Sequence, residues 1–173
     1  MAKSAYLQVP EMEHVLRLLT KVNRLAIEIE LATGLRISDV LEIKTADLKN
    51  EMYVHEKKTG KIARVWINDD LLRRLKVNGS GSVWAFPSRC NPAKHWTRQA
   101  VWKDLKRAGK ALRIRENLST HSARKIFAVE FMVRYDDIKR LQKRLNHSSR
   151  EITMIYAYAD ILDKRRKKGL DNG

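Results

Sequence analysis

Residues 120–158 read THSARKIFAVEFMVRYDDIKRLQKRLNHSSREITMIYAY, and the rest of the chain is organised around them. The segment opens with His121 and Arg124, spaced i, i+3 and so neighbours on one helical face. An apolar helix follows, then an Asn-His-Ser-Ser turn at 146–149 and a short helix bearing Tyr156 and Tyr158. One stretch therefore holds a nucleophile, a ligand for a phosphate-sized anion and a proton carrier. Neither a metal-ligand cluster nor a glycine-rich cradle accompanies them.

Before this segment, Thr97 caps a strongly basic helix running to about Leu112, with Arg98, Lys103, Lys106, Arg107 and Lys110 along it. Val101, Trp102, Leu105 and Ala108 fit its apolar face, which turns the basic face to solvent or phosphate. Earlier, Met52–His55 and Ala63–Ile67 flank Lys57-Lys58-Thr59-Gly60-Lys61, a hairpin pattern with glycine in the turn. A helix over 70–77 follows it, capped by Asp69 or Asp70, and Val83–Phe86 reads as a short strand. At the N-terminal end, Pro10 suits the first turn of a helix whose apolar face is Val15, Leu16, Leu18 and Leu19. A second helix covers roughly 22–33, with Leu25, Ile29 and Ala32 as its stripe and Gly34 to end it. A third spans Arg36 to Ile43. An arginine at a helix start opposes the dipole, and a bound anion would justify it.

The order is mostly helix, one hairpin, then helix. This predicts an α+β domain, mainly helical, with a small antiparallel sheet on one side. At 173 residues the chain fits one domain, 1–173, with a basic tail at 160–173 that includes Lys164-Arg165-Arg166-Lys167-Lys168. Its charge is the outlier: 36 Lys and Arg against 20 acids give +16. Such an excess points to a polyanion, most commonly nucleic acid, against the plainer reading of solubility by self-repulsion. No apolar run reaches the span of a bilayer, and the N-terminus has no signal-like apolar region, so the expected compartment is the cytoplasm, at the nucleoid. The single cysteine, Cys90, excludes an internal disulfide and a Cys-based zinc site.

Four places put a cation or imidazole where a core would not want one: Arg36, Lys58, the His121/Arg124 pair, and His147 beside Ser148 and Ser149. Each has a plain explanation. A lone arginine is usually a surface residue, a hairpin lysine usually solvates a turn, and a lone histidine is usually a hydrogen-bonded structural residue. Composition and spacing lead to a basic DNA- or RNA-binding domain and stop there.

Thr33-Gly34-Leu35-Arg36-Ile37-Ser38-Asp39, His121-Ser122-Ala123-Arg124 and Leu145-Asn146-His147-Ser148-Ser149, with Tyr156, resemble the motifs of the tyrosine recombinases, or phage-type integrases. His147 lies 23 positions beyond Arg124 and Tyr156 nine beyond His147, both intervals expected of that family. Lys58 falls on the hairpin where the family carries its lysine. The resemblance covers almost the whole chain.

It implies a catalytic domain that cleaves and rejoins duplex DNA through a 3′-phosphotyrosine. Arg36 and Arg124 would clamp the scissile phosphate, to which the guanidinium fork is suited, and stabilise its transition state. Tyr156 would attack phosphorus, Lys58 would protonate the departing 5′-oxygen, His121 would assist proton transfer, and His147 would hydrogen-bond the phosphate. Asp39 would brace the arginines. Lys57, Lys61, Arg98, Lys103, Lys106, Arg107 and Lys125 would contact the DNA backbone. No metal or other cofactor is implied, because arginines neutralise the charge and the phosphotyrosine conserves the bond energy.

Departures from the family pattern are few. Lys125 stands where many members have a second histidine, and Asn146 stands where a glycine is usual. Tyr158 is a second tyrosine at a position where the family commonly has histidine, and the interval of nine favours Tyr156. Members normally carry a separate helical core-binding domain before the catalytic one, and the expectation is that this chain lacks it. The implied partners are duplex DNA, further copies of the chain (a tetramer on DNA, a monomer alone) and accessory DNA-bending proteins. Residues 161–173 would contact a neighbouring protomer or simply touch phosphates. Two rival readings are a type IB topoisomerase, with similar chemistry in a monomer, and a DNA-binding module without catalysis.

Overall fold

The structure is a computed structural model that describes residues 6–78 and 80–145. The Asn146–Ser149 turn, His147, Tyr156, Tyr158 and the basic tail all lie outside the described residues. The order is α1 (Val9–Leu18), α2 (Lys21–Thr33), α3 (Ile37–Leu41), β1 (Glu51–His55), β2 (Ile62–Trp66), α4 (Asp69–Asn78), α5 (Arg98–Ala111), α6 (Thr120–Tyr135) and α7 (Ile138–Leu145). The expected class, helices with one small antiparallel sheet, is what forms.

α2 is the centre. Leu25, Ala26, Ile27 and Ile29 are each at most 3% exposed, so the helix is enclosed on several sides by α3, α4, α5 and α6. The expected stripe is therefore too narrow: Ala32 is exposed, whereas Asn23, Glu30 and Thr33 are buried. Its first turn is tied to α5 by one carboxylate. Asp104 Oδ2 accepts from the Thr20 amide (2.9 Å), the Thr20 hydroxyl (3.0 Å) and Asn23 Nδ2 (2.7 Å). Burial alone would raise the Asp104 pKa, but these bonds and the one from Arg107 hold it below the ordinary aspartate value. The Trp96 indole N–H completes the group by donating to Asn23 Oδ1 at 2.8 Å.

Thr97 caps α5 as expected, its Oγ1 accepting from the Ala100 amide at 3.2 Å. Trp102 does not join the buried face: it is 45% exposed and lies against the Lys106 ammonium. Leu18 of α1 likewise turns outward, while Leu19 beyond the helix end is buried. The helix after β2 is capped by Asn68, whose Oδ1 accepts from the Leu71 amide, and not by Asp69 or Asp70. Residues 83–86 make an isolated bridge, Trp84 to Lys44, with no strand of their own.

The hairpin pairs Met52 with Val65 and Val54 with Ala63 on its buried face, and Tyr53 with Arg64 on the outer one. Alternation of period two sets this register, because a one-residue slip would turn every apolar side chain outward. Gly60 takes φ 66° in the turn. α7 folds back on α6, burying Ala128, Met132, Leu141 and Leu145 with Phe127 and Phe131 against them. Arg144 of α7 donates to the Arg64 carbonyl of β2.

Candidate active site

The turn between α2 and α3 is where the cationic positions converge. Gly34 ends α2 at φ 70°, and a Cβ there would stand 2.4 Å from the Phe127 ring of α6. Glycine thus serves twice, by taking the left-handed backbone and by letting α6 approach. That approach delivers Arg124. Its Nη1 donates to the Gly34 carbonyl at 2.7 Å and its Nη2 to the Leu145 carbonyl at 2.6 Å. One guanidinium therefore joins the α2–α3 turn to the end of α7, immediately before Asn146 and His147. His121 and Arg124, expected as surface neighbours, differ in exposure: Arg124 is 5% exposed and reaches inward, while His121 on the first turn of α6 is exposed.

Arg36 is the N-cap of α3, which has only five residues. The carboxylate that meets it is internal. Arg36 Nη1 donates to Glu56 Oε2 at 2.6 Å, the Glu56 side chain being 1% exposed. Sequence reasoning had assigned an outside anion to this cation, and Glu56 was missed. Its signal was an acid directly before Lys57-Lys58, at a strand end where the chain turns. Glu56 also organises that turn: its N–H donates to the Lys61 carbonyl, and its carbonyl accepts from the Thr59 and Gly60 amides. Lys58 lies exposed on the same turn.

Asp39 is 1% exposed, and its Oδ1 accepts from the Lys57 amide at 3.2 Å. It thus braces the hairpin directly, with both arginines close enough to act on it electrostatically. Burial, first, and the nearby Glu56 charge raise its pKa, against the Lys57 bond and the two arginines. Glu30 of α2, also missed, is 1% exposed beneath the site. Burial raises its carboxyl well above the ordinary glutamate value, only partly offset by Arg124 and the Ile37 amide, while Asp39 adds to the rise. Its place on the same face as Ala26 and Thr33 was the available signal. Among the described residues no group of three His, Cys, Asp or Glu side chains is arranged to hold a metal ion.

The expected backbone contacts divide. Lys61, Arg98 and Lys103 are exposed, and Lys125 is half-buried. Lys57 instead pairs with Glu42, whose carboxylate also faces His95. Lys106 Nζ donates to Asn117 Oδ1 at 2.6 Å. Arg107 pairs with Asp104 at 2.7 Å and donates to the Leu18 carbonyl. The α5 face is basic, but part of its charge already ties the protein together.

The model of the phage integrase family matches residues 6–161, a span that includes positions 147 and 156. The chain belongs to the phage integrase family. A relative, the probable integrase/recombinase YoeC of Bacillus subtilis (strain 168), is 32% identical over 133 residues, covering 74% of this chain and 72% of that protein. The crystal structure of XerA recombinase superposes with a TM-score of 0.72 at 20% identity, over 98% of this chain and 66% of that one. A lambda integrase tetramer bound to a Holliday junction gives 0.67 at 23%, over 86% and 48%. The fold is thus that of the tyrosine recombinase catalytic domain. Against seven further curated relatives the chain spans 43–57% of their length, about half of each.

Proposed function

We propose that this member of the family breaks and rejoins duplex DNA at specific sites, through a 3′-phosphotyrosyl intermediate formed on Tyr156. One observation carries the reading. Arg36, Arg124 and the Lys58 turn, far apart in sequence, are joined by direct hydrogen bonds around the α2–α3 turn, with the chain leading to His147 attached through Leu145. In this reading the two guanidiniums receive the non-bridging oxygens of a phosphodiester, to which their planar fork of donors is suited. Tyr156 displaces the 5′-oxygen, and Lys58, at an exposed tip, gives it a proton. His121 moves protons at the rim, and His147 bonds the phosphate. The charge of +16 favours DNA as the polyanion. Strand exchange between two duplexes would take four copies of the chain, as in the lambda integrase tetramer.

The test is supercoiled plasmid incubated in EDTA and quenched with detergent, comparing wild type with Tyr156→Phe. The expected result is nicked or relaxed DNA with a covalent adduct in the wild type and neither in the variant. An adduct that survives in Tyr156→Phe would move the nucleophile to Tyr158. Binding without any adduct in the wild type would sink the catalytic reading.

A further inference from the structure

We propose that Glu56 is a positioning residue that couples the Arg36 guanidinium to the hairpin turn carrying Lys58, so that phosphate clamp and proton donor are set as one unit. The inference rests on the roles just proposed for Arg36 and Lys58. Three observations support it. First, the Glu56 carboxylate is 1% exposed and bonds Arg36 Nη1 at 2.6 Å. This fixes the fork through one of its five N–H groups and leaves the others for a ligand. Second, the same Oε2 accepts from the Thr59 hydroxyl at 3.3 Å, one residue beyond Lys58. Third, the Glu56 backbone closes the turn at both ends, by its N–H to Lys61 and its carbonyl to Thr59 and Gly60.

The two ends of the link lie on different elements. Arg36 caps α3, whereas Lys58 has no backbone continuity with it closer than the strand pair. Asp39 runs a parallel tie from α3 to the Lys57 amide, so the turn is held to α3 on both sides of Lys58. A surface ion pair would contribute little. This one is enclosed and shares its acceptor with the turn, the geometry expected of a support for a reacting group. Displacement by about an ångström from a productive geometry can cost roughly 10²-fold in rate.

Two measurements decide it. In the DNA-free protein, hydrogen exchange is read at the Glu56 and Gly60 amides. Coupling predicts that Arg36→Ala, on the other element, speeds exchange there by about tenfold while the Met52 and Val65 amides hold. Exchange within twofold of wild type overturns the proposal, and this readout needs no catalysis. The second measurement is single-turnover cleavage of a duplex built on the scissile phosphate mapped from the plasmid adduct, with Glu56→Ala and the shape-preserving Glu56→Gln. The expected losses are about 100-fold and about tenfold in rate, with DNA affinity within threefold. A 5′-bridging phosphorothiolate, whose thiolate leaves without a proton, should recover about tenfold of the Glu56→Ala loss. It should recover none of the Arg36→Ala loss. Equal deficits on both substrates, or a Glu56→Gln rate equal to wild type, overturn the coupling. Failure of wild type to form any adduct would overturn the reading of the site, and the exchange result would still decide whether Glu56 links the two elements.

Discussion

At the scale of single residues, the cost of this site is concentrated in buried carboxylates. Glu30 and Asp39 are each 1% exposed, and each keeps one oxygen without a hydrogen-bond partner among the described residues. Enclosing such a group disfavours its charged form, so both pKa values rise, burial being the largest cause in each. For an acid raised on folding, the linked stability is fully present below its unfolded pKa and is lost as pH climbs toward the folded one. Glu30 starts from an ordinary value of 4.5, so the wild type should lose stability as pH rises above that point. Glu30→Gln keeps the shape and removes the titration. Urea unfolding at pH 5 and pH 7.5 should show the variant gaining on the wild type at the higher pH. A gap that is constant or reversed would mean Glu30 is held ionised by Arg124. The acid itself could be read in the sequence. Its burial could not, because Lys, Glu and Asp inside an apolar helix usually mark the solvated side. This one is enclosed by what packs on α2, with Arg124 of α6 and the Ile37 amide of α3 acting on its carboxyl.

At the scale of elements, the close approach of α6 to the α2–α3 turn is what places Arg124. Phe127 sits against Gly34 with no room for a methyl group. Gly34→Ala would meet both a left-handed backbone, about 1–2 kcal/mol for a non-glycine residue, and the aromatic ring. The expected loss is about 2–4 kcal/mol in chemical denaturation, with a drop in cleavage larger than a distant substitution of equal destabilisation gives, because Arg124 moves with α6. If stability falls by less than about 1 kcal/mol, the ring relaxes easily and α6 is not fixed by this contact. The end of α2 at Gly34 and the hairpin were legible because each has a local cause: glycine taking positive φ, and alternation of period two around Lys57–Lys61. Two elements were misjudged for an equally physical reason. Residues 83–86 look like a strand but find only one bridging partner, Lys44, and Trp102 looks like core although the α5 neighbours leave it outside. Whether an apolar segment pairs or an aromatic ring is covered depends on what arrives from elsewhere in the chain.

At the scale of the whole molecule, charge sets how the proposed encounter with DNA should depend on salt. With an excess of 16 positive charges on 173 residues, binding to any duplex should depend strongly on salt. If six or more phosphates are neutralised, affinity for a nonspecific duplex should fall by about 10³-fold between 50 and 200 mM salt. Fluorescence anisotropy across that range measures it, and a fall of less than tenfold would mean the basic surface is not the docking face. Lys106 and Arg107 should contribute less to that slope than Lys103 or Arg98. Their polar ends are already held by Asn117, Asp104 and the Leu18 carbonyl.

By itself the sequence determined the helical class with its hairpin and the charge excess that points to a polyanion, and its resemblance to the family marked the motif positions Arg36, Lys58, His121, Arg124, His147 and Tyr156. Class and charge are written in local periodicity and composition, neither of which needs a neighbour to be read, whereas the motif positions are read through the family they resemble. Tertiary structure alone decided that Arg124 turns inward to bind the Gly34 and Leu145 carbonyls, and that Arg36 is answered from within by Glu56. It also decided that three acids gather beneath the cations. The reason is the same in each case: a side chain's partner across the fold depends on the packing of α2, α6 and the hairpin, and sequence separation carries no trace of it.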